Sequence, residues 1–219
     1  MTYGSGNSGD YKKLKGQMIQ VTDTDPVVYV GAWSTGGNLN QARYSIAGAG
    51  TQTAGLAFGG YSAPSRRNET EEYNGTAWAE QNNLNLARNE LTGAGTQTAA
   101  LAAGGYSTGA TNDAETYNGT SWTEITNLNT ARDGLGSTAV GVVNTAVIVV
   151  SGAPNSAAVE QWNGSSWTEI AEISTARKNL SGTGSGVAAL AIGGENPGGN
   201  LANTEEWANP FVTKTIDTD

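Results

Sequence analysis

WTEITNLNTARDGLGSTAVGVVNTAVIVVSGAPNSAAVEQWNGSSW, residues 122–167, is one unit of a pattern that recurs along almost the whole chain. Aligned tryptophans stand at Trp33, Trp78, Trp122 and Trp167, at spacings of 45, 44 and 45. Arg43, Arg88, Arg132 and Arg177 each follow ten residues later and keep the same spacings. Two residue types sharing one period mark a repeat, and a period in the range of about 20–50 residues signals a solenoid, a propeller or an array.

Within each copy the signals are those of β-strands. The segment leading to the arginine reads STGGNLNQAR, AEQNNLNLAR, TEITNLNTAR or TEIAEISTAR. Two short apolar runs divided by a small-residue turn follow, as in Tyr44 to Ala49, Gly50 to Thr53 and Ala54 to Phe58, which is a hairpin signature. The second run ends on Gly59-Gly60, Gly104-Gly105, Ser151-Gly152 or Gly193-Gly194, where glycine permits positive φ and close backbone approach. A variable polar segment comes next (YSAPSRRN, YSTGATND, APNSAA, ENPGGNLAN) and reads as a loop. A second hairpin closes the copy on Asn74-Gly75, Asn118-Gly119 or Asn163-Gly164, and Asn-Gly is the strongest short hairpin signal. Each copy is therefore expected to be one antiparallel sheet of four short strands.

The fourth copy is one strand short. Trp207 aligns with Tyr73, Tyr117 and Trp162, and the period places the next marker near Val212. Val27 to Trp33, rich in strand formers, is an outer strand with no sheet of its own. Setting it beside the fourth sheet closes a ring of four and removes exposed edges. The expected organisation is an N-terminal arm over residues 1–26, a four-bladed all-β propeller over residues 27–207 and a C-terminal tail over residues 208–219. Met18 to Val21 in the arm is expected to form a further short strand or an assembly contact, the alternative being a disordered leader.

Composition removes several function classes. With 11 basic against 20 acidic residues the net charge is −9, and the only basic groupings are Lys12, Lys13, Lys15 and the pair Arg66, Arg67, so nucleic acid is not an expected partner. His and Cys are both absent, which excludes disulfides, Ser-His and Cys-His catalysis, and the usual ligands of zinc, copper and haem. No cofactor is expected. MTYGSGNSGDYKKLKGQ is too polar for a signal peptide and no run reaches the roughly 20 apolar residues of a membrane span, so neither a cleaved signal nor membrane insertion is expected.

A glycine pair, then Glu-x-Tyr-Asn-Gly-x-x-Trp, then an Arg about ten residues on, resembles the kelch repeat over residues 27–207. Kelch implies a propeller of four-stranded blades, although a ring of four is smaller than is usual in that family. The sub-motif GAGTQTA(G/A)LA(F/A)GGY is similar to kelch-like repeats of tailed-bacteriophage virion proteins. That likeness implies a virion component, with other virion proteins as partners through the arm and host surface glycan as ligand. The alternatives are a cytoplasmic or extracellular scaffold that binds a protein partner, and a carbohydrate-active enzyme. A homo-oligomer is compatible with each.

The recurring aromatics and the recurring Arg/Glu pairs invite chemical readings, but residues that return once per blade at fixed phase are expected to be packing units and salt bridges. A radical copper centre of the galactose-oxidase kind needs His and Cys. A sialidase needs Asp where Asn74, Asn118 and Asn163 stand. No unique acidic pair stands out for glycosidase chemistry. Catalytic residues are therefore not assigned. Asp23 and Asp25, or Asp217 and Asp219, offer oxygen ligands to Ca²⁺ without the spacing of a calcium loop. In a four-stranded blade the loop between strands two and three shares a face with the loop to the next blade, and that face carries Tyr61, Ser62, Arg66, Arg67, Tyr106, Asn112, Asp113 and Asn196. These are the expected ligand-binding residues.

Overall fold

The computed structural model describes residues 11–14, 17–20, 32–138 and 144–209. The chain divides into two compact parts, residues 1–35 and 36–219. The first part holds an antiparallel hairpin of β1 (Tyr11–Leu14) and β2 (Gln17–Gln20), with Tyr11 opposite Gln20. The arm's Met18 to Gln20 is therefore strand, as the apolar run suggested. Val27 to Gly31 lies outside the described residues.

The second part is a four-bladed β-propeller of small antiparallel sheets. Blade one contains β3 (Ala47–Thr51), β4 (Ala54–Phe58), a side hairpin of β5 (Tyr61–Ser62) and β6 (Ser65–Arg66), β7 (Thr70–Tyr73) and β8 (Trp78–Gln81). Blade two contains β9 (Thr92–Thr96), β10 (Ala99–Ala103), β11 (Ala114–Tyr117) and β12 (Trp122–Glu124). Blade three contains β13 (Gly136–Ser137), β14 (Val147–Val150), β15 (Val159–Trp162) and β16 (Trp167–Ile170). Blade four contains β17 (Ser181–Gly184), β18 (Ala188–Ile192), a side hairpin of β19 (Glu195–Asn196) and β20 (Gly199–Asn200), and β21 (Thr204–Ala208). The first three sheets follow the order β3-β4-β7-β8, β9-β10-β11-β12 and β13-β14-β15-β16, while the fourth, β17-β18-β21, has three strands among the described residues. Trp33 is fully exposed and lies in no strand.

Two glycine positions show why the repeat needs them. A Cβ on Gly93 would stand 2.6 Å from the Gly48 carbonyl oxygen and 2.8 Å from the Phe58 ring, so only glycine lets β9 lie this close to β3. Gly104 adopts φ of +62°, and a Cβ there would stand 2.7 Å from the Arg132 carbonyl oxygen.

The recurring aromatics of blades two and three are wedges between blades. Each fourth-strand tryptophan faces the third-strand ring of its own sheet: Tyr73 opposite Trp78, Tyr117 opposite Trp122, Trp162 opposite Trp167. Their centroids are 5.0, 5.1 and 5.3 Å apart. The Tyr117–Trp122 pair enters the core between blades one and two, with Trp122 4.8 Å from Phe58. The Trp162–Trp167 pair enters the core between blades two and three. A third core, with Ile148, Val150, Leu180 and Ala191, joins blades three and four. Among the described residues no matching core joins blade four to blade one. Ile46 is 39% exposed where its counterparts Leu91, Leu135 and Leu180 are 6–7% exposed, and Ile192 is likewise 39% exposed.

The recurring arginines and glutamates are ion pairs inside each blade, buried in the first three and with Glu205 partly exposed in the fourth, joining the segment before the first strand to the third strand. The contacts are Arg43–Glu71 at 3.0 Å, Arg88–Glu115 at 3.0 Å, Arg132–Glu160 at 2.6 Å and Arg177–Glu205 at 3.0 Å. Of the adjacent glutamates Glu71 and Glu72, Glu71 is the partner, and Glu72 instead accepts a hydrogen bond from the Tyr117 hydroxyl at 3.1 Å. Burial lowers the guanidinium pKa of Arg88 and raises the carboxyl pKa of Glu115, so for this pair desolvation outweighs mutual attraction. The pair therefore fixes the path of the connecting segment more than it adds net stability.

Candidate functional site

The site is built where each chain segment turns into the first strand of its blade. Directly after the repeated arginine stand Tyr44, Asn89, Asp133 and Lys178, followed by Ser45, Glu90, Gly134 and Asn179. The second set adopts left-handed backbone at φ of 52°, 54°, 61° and 54°. This turns each amide sideways, and hydrogen bonds run from blade to blade: Glu90 N–H to the Ser45 carbonyl at 3.1 Å, Gly134 N–H to Glu90 at 2.9 Å, Asn179 N–H to Gly134 at 2.8 Å. Together with Ile46, Leu91, Leu135 and Leu180 these residues line a mouth of about 240 Å³ to which all four blades contribute. Tyr44, Asn89, Asp133 and Lys178 bridge to Tyr61, Tyr106, Ala153 and Glu195, so the rim of the mouth continues into the start of each variable segment.

On this rim the structure gathers three of the expected residues. Tyr61 sits on β5, and its ring centroid lies 5.4 Å from that of Tyr44, which is exposed. Arg66 is the strand partner of Tyr61 on β6; its Nε donates to Asn89 Oδ1 at 3.1 Å, and its guanidinium carbon lies 4.5 Å from the centre of the Tyr106 ring. Tyr44, Tyr61, Arg66, Asn89 and Tyr106 thus form one aromatic and amide cluster spanning blades one and two. The short hairpins β5–β6 and β19–β20 correct the expectation that the variable segments are plain loops: in blade one the hairpin holds Tyr61 and Arg66 side by side.

The other expected residues are occupied in local structure. Arg67 reaches Glu69 at 3.4 Å. Asn112 Nδ2 donates to the Leu128 carbonyl at 3.0 Å, which ties down the segment to the next blade. Asp113 accepts from the Thr111 hydroxyl, and the Asn196 side chain accepts from Gly198 N–H at 2.8 Å inside a turn. Ser62 lies 3.5 Å from Gln41 Nε2. Among the described residues no three or more acidic side chains gather as a metal would require, and Asp23, Asp25, Asp217 and Asp219 lie outside the described residues.

Reading the variable segments alone misses Tyr44, Asn89, Glu90, Asp133 and Lys178. A signal existed: the position after an unvarying arginine takes four different polar residues in four copies, inside a repeat that is otherwise nearly uniform. Glu90 and Asp133 form a carboxyl pair at this rim. Burial raises both pKa values, and the neighbouring charge of Asp133 raises Glu90 further, while Lys178 opposes the shift in both. A carboxyl whose folded pKa lies above its unfolded value contributes stability that is complete below the unfolded pKa and is lost as pH rises through the folded one. Glu90→Gln is accordingly expected to melt higher than the wild type at about pH 7 and level with it at about pH 3.5. Thermal unfolding of both proteins across that range checks this, and equal curves at neutral pH would refute it.

A scan against protein-family models and a search of curated protein sequences each returned no match.

Proposed function

We propose that the chain is a non-enzymatic binding propeller of the kelch kind, carried on the outside of a tailed-phage particle as a tail, neck or head appendage. In this reading Val27 to Trp33 completes blade four as its outer strand on β21, residues 1–26 dock onto other virion proteins, and the rim cluster faces host surface glycan. The observation that carries the binding role is the convergence of Tyr44, Tyr61, Tyr106, Arg66 and Asn89 on the side where the copies differ most. Sugar rings present apolar C–H faces flanked by hydroxyls, and aromatic rings beside amide and guanidinium donors match both.

Tyr61→Ala combined with Tyr106→Ala is expected to weaken glycan-array binding by about tenfold or more, since each ring lost takes about 1 kcal/mol of stacking with it. Undiminished binding would remove the rim as the site. Deleting residues 1–20 is expected to abolish incorporation into particles, and incorporation equal to that of the full chain would end the docking role of the arm.

A further inference from the structure

All six arginines of the chain lie among the described residues. Five of them face a carboxylate: Arg43, Arg88, Arg132 and Arg177 inside the blades, and Arg67 beside Glu69. Arg66 has no carboxylate within ion-pair distance among the described residues, although it is half-buried and its side chain is held in place. Its Nε donates to Asn89 Oδ1 at 3.1 Å, and its guanidinium carbon stands 4.5 Å from the centre of the Tyr106 ring. One hydrogen bond and one aromatic face together fix the position and direction of the guanidinium. The bond from Nε is the only one its side chain makes among the described residues, so both Nη groups are left without an acceptor there.

The surroundings explain why this charge is left over. Blade two places an amide, Asn89, where blade three has Asp133, and that amide is used at both ends: Oδ1 on Arg66, and Nδ2 on Glu90 Oε1 at 3.2 Å. Glu90 feels the charge of Arg66 but lies beyond ion-pair distance, beside Asp133 and Lys178. Lys178, the other cation of the rim, stands 3.7 Å from Glu195. On the far side of Arg66 its strand partner Tyr61 stands 5.4 Å from Tyr44, which is exposed. A fixed donor fork is thus set beside an open aromatic pair.

We propose that the rim selects a sugar bearing a carboxylate, and that Arg66 is the residue that reads it. The inference rests on the reading in which the rim faces glycan, and it adds the chemical class of the sugar. The carboxylate takes two parallel hydrogen bonds from the Nη groups, the fork geometry in which guanidinium and carboxylate match. The apolar face of the same sugar rests on the Tyr44–Tyr61 pair. Tyr106 shields one side of the guanidinium from water, which strengthens the pair over that of an open surface arginine. The net charge of −9, with Glu90, Asp133 and Glu195 on the same rim, repels a densely sulfated chain and favours a single carboxylate set on the fork.

The full-length chain is titrated over an array of neutral, sulfated, uronate-bearing and sialylated glycans. Carboxylated glycans are expected to bind about tenfold or more tightly than their neutral counterparts, the contribution of one bidentate charge-assisted contact. Whether uronates or sialosides lead identifies the source of the carboxylate. In Arg66→Gln the ratio is expected to fall to about one, and in Arg67→Gln to hold, because Arg67 is already paired with Glu69. A ratio unchanged in Arg66→Gln overturns the proposal. A ratio lost equally in Arg67→Gln also overturns it, since the preference would then come from overall charge. Should Arg66→Gln fail to fold, Arg66→Lys keeps the charge without the planar fork and is expected to lose most of the preference, and a wild-type ratio in that variant overturns the bidentate contact. Binding led by neutral or sulfated glycans removes the carboxylate and leaves the glycan reading standing, whereas an array on which nothing binds removes both. A glutamate-rich peptide that binds where no glycan does moves the fork to a protein partner and overturns the proposal as well.

Discussion

Arg132→Ala is expected to lower the unfolding free energy by about 3–5 kcal/mol, the range for stranding one member of a buried ion pair. The guanidinium is fully buried; its Nη1 donates to the carbonyls of Ser151 at 3.0 Å and Ala158 at 2.7 Å, and its Nη2 to Glu160 Oε1 at 2.6 Å. Removing it leaves a fully buried carboxylate facing an empty space. The other carboxylate oxygen keeps only the backbone and side-chain N–H groups of Asn129, at 2.7 and 3.0 Å. Replacing both partners with apolar residues, Arg132→Met with Glu160→Leu, is expected to recover most of the loss, because burying this charge is the dominant cost. Urea unfolding of the single and double variants decides the matter. A loss below about 1 kcal/mol in Arg132→Ala would mean that water reaches the site.

Trp167→Ala is expected to cost about 3–5 kcal/mol, the range for deleting a large buried aromatic side chain. The ring fills the core between blades two and three, stacks on Trp162, and has its indole N–H satisfied by the Thr126 carbonyl. Trp78→Ala in blade one provides the comparison. Trp78 also stacks on its third-strand neighbour but is only half-buried and belongs to none of the three interblade cores. Its loss should be clearly smaller in the same denaturation assay. Equal losses would show that the stacking, and not the interblade core, carries the energy.

The blade was legible because its markers do different physical jobs at one period. The tryptophan fills a core, the arginine neutralises a buried carboxylate, and Asn-Gly closes a turn: in blade two Asn118 Oδ1 accepts from the N–H groups of Thr120 and Ser121, both at 2.9 Å. None of the three is readily replaced by another residue, so the copies remain alignable. The side hairpins were not legible, since two-residue strands such as β5 and β6 are too short to show alternation. The candidate site was legible in part. Tyr61, Arg66 and Tyr106 belong to the cluster, but Asn112, Asp113 and Asn196 are polar for a local reason. A turn leaves backbone groups unpaired, and short polar side chains satisfy them. Composition does not separate a polar residue that serves its own backbone from one that faces a ligand. The inner corners at Asn89 and Asp133 went unread because the sequence reading runs the residues after each arginine straight into the first apolar strand, and only the backbone path brings them to the rim.

The direction in which the wedges point has a consequence for how the protein is made. Trp122 donates its indole N–H to the Thr70 hydroxyl, and Trp167 donates to Thr126, so each ring is received by a blade translated before it. For blades two and three, a segment leaving the ribosome thus meets a receptor that is already in place, and these two blades add in the order of synthesis.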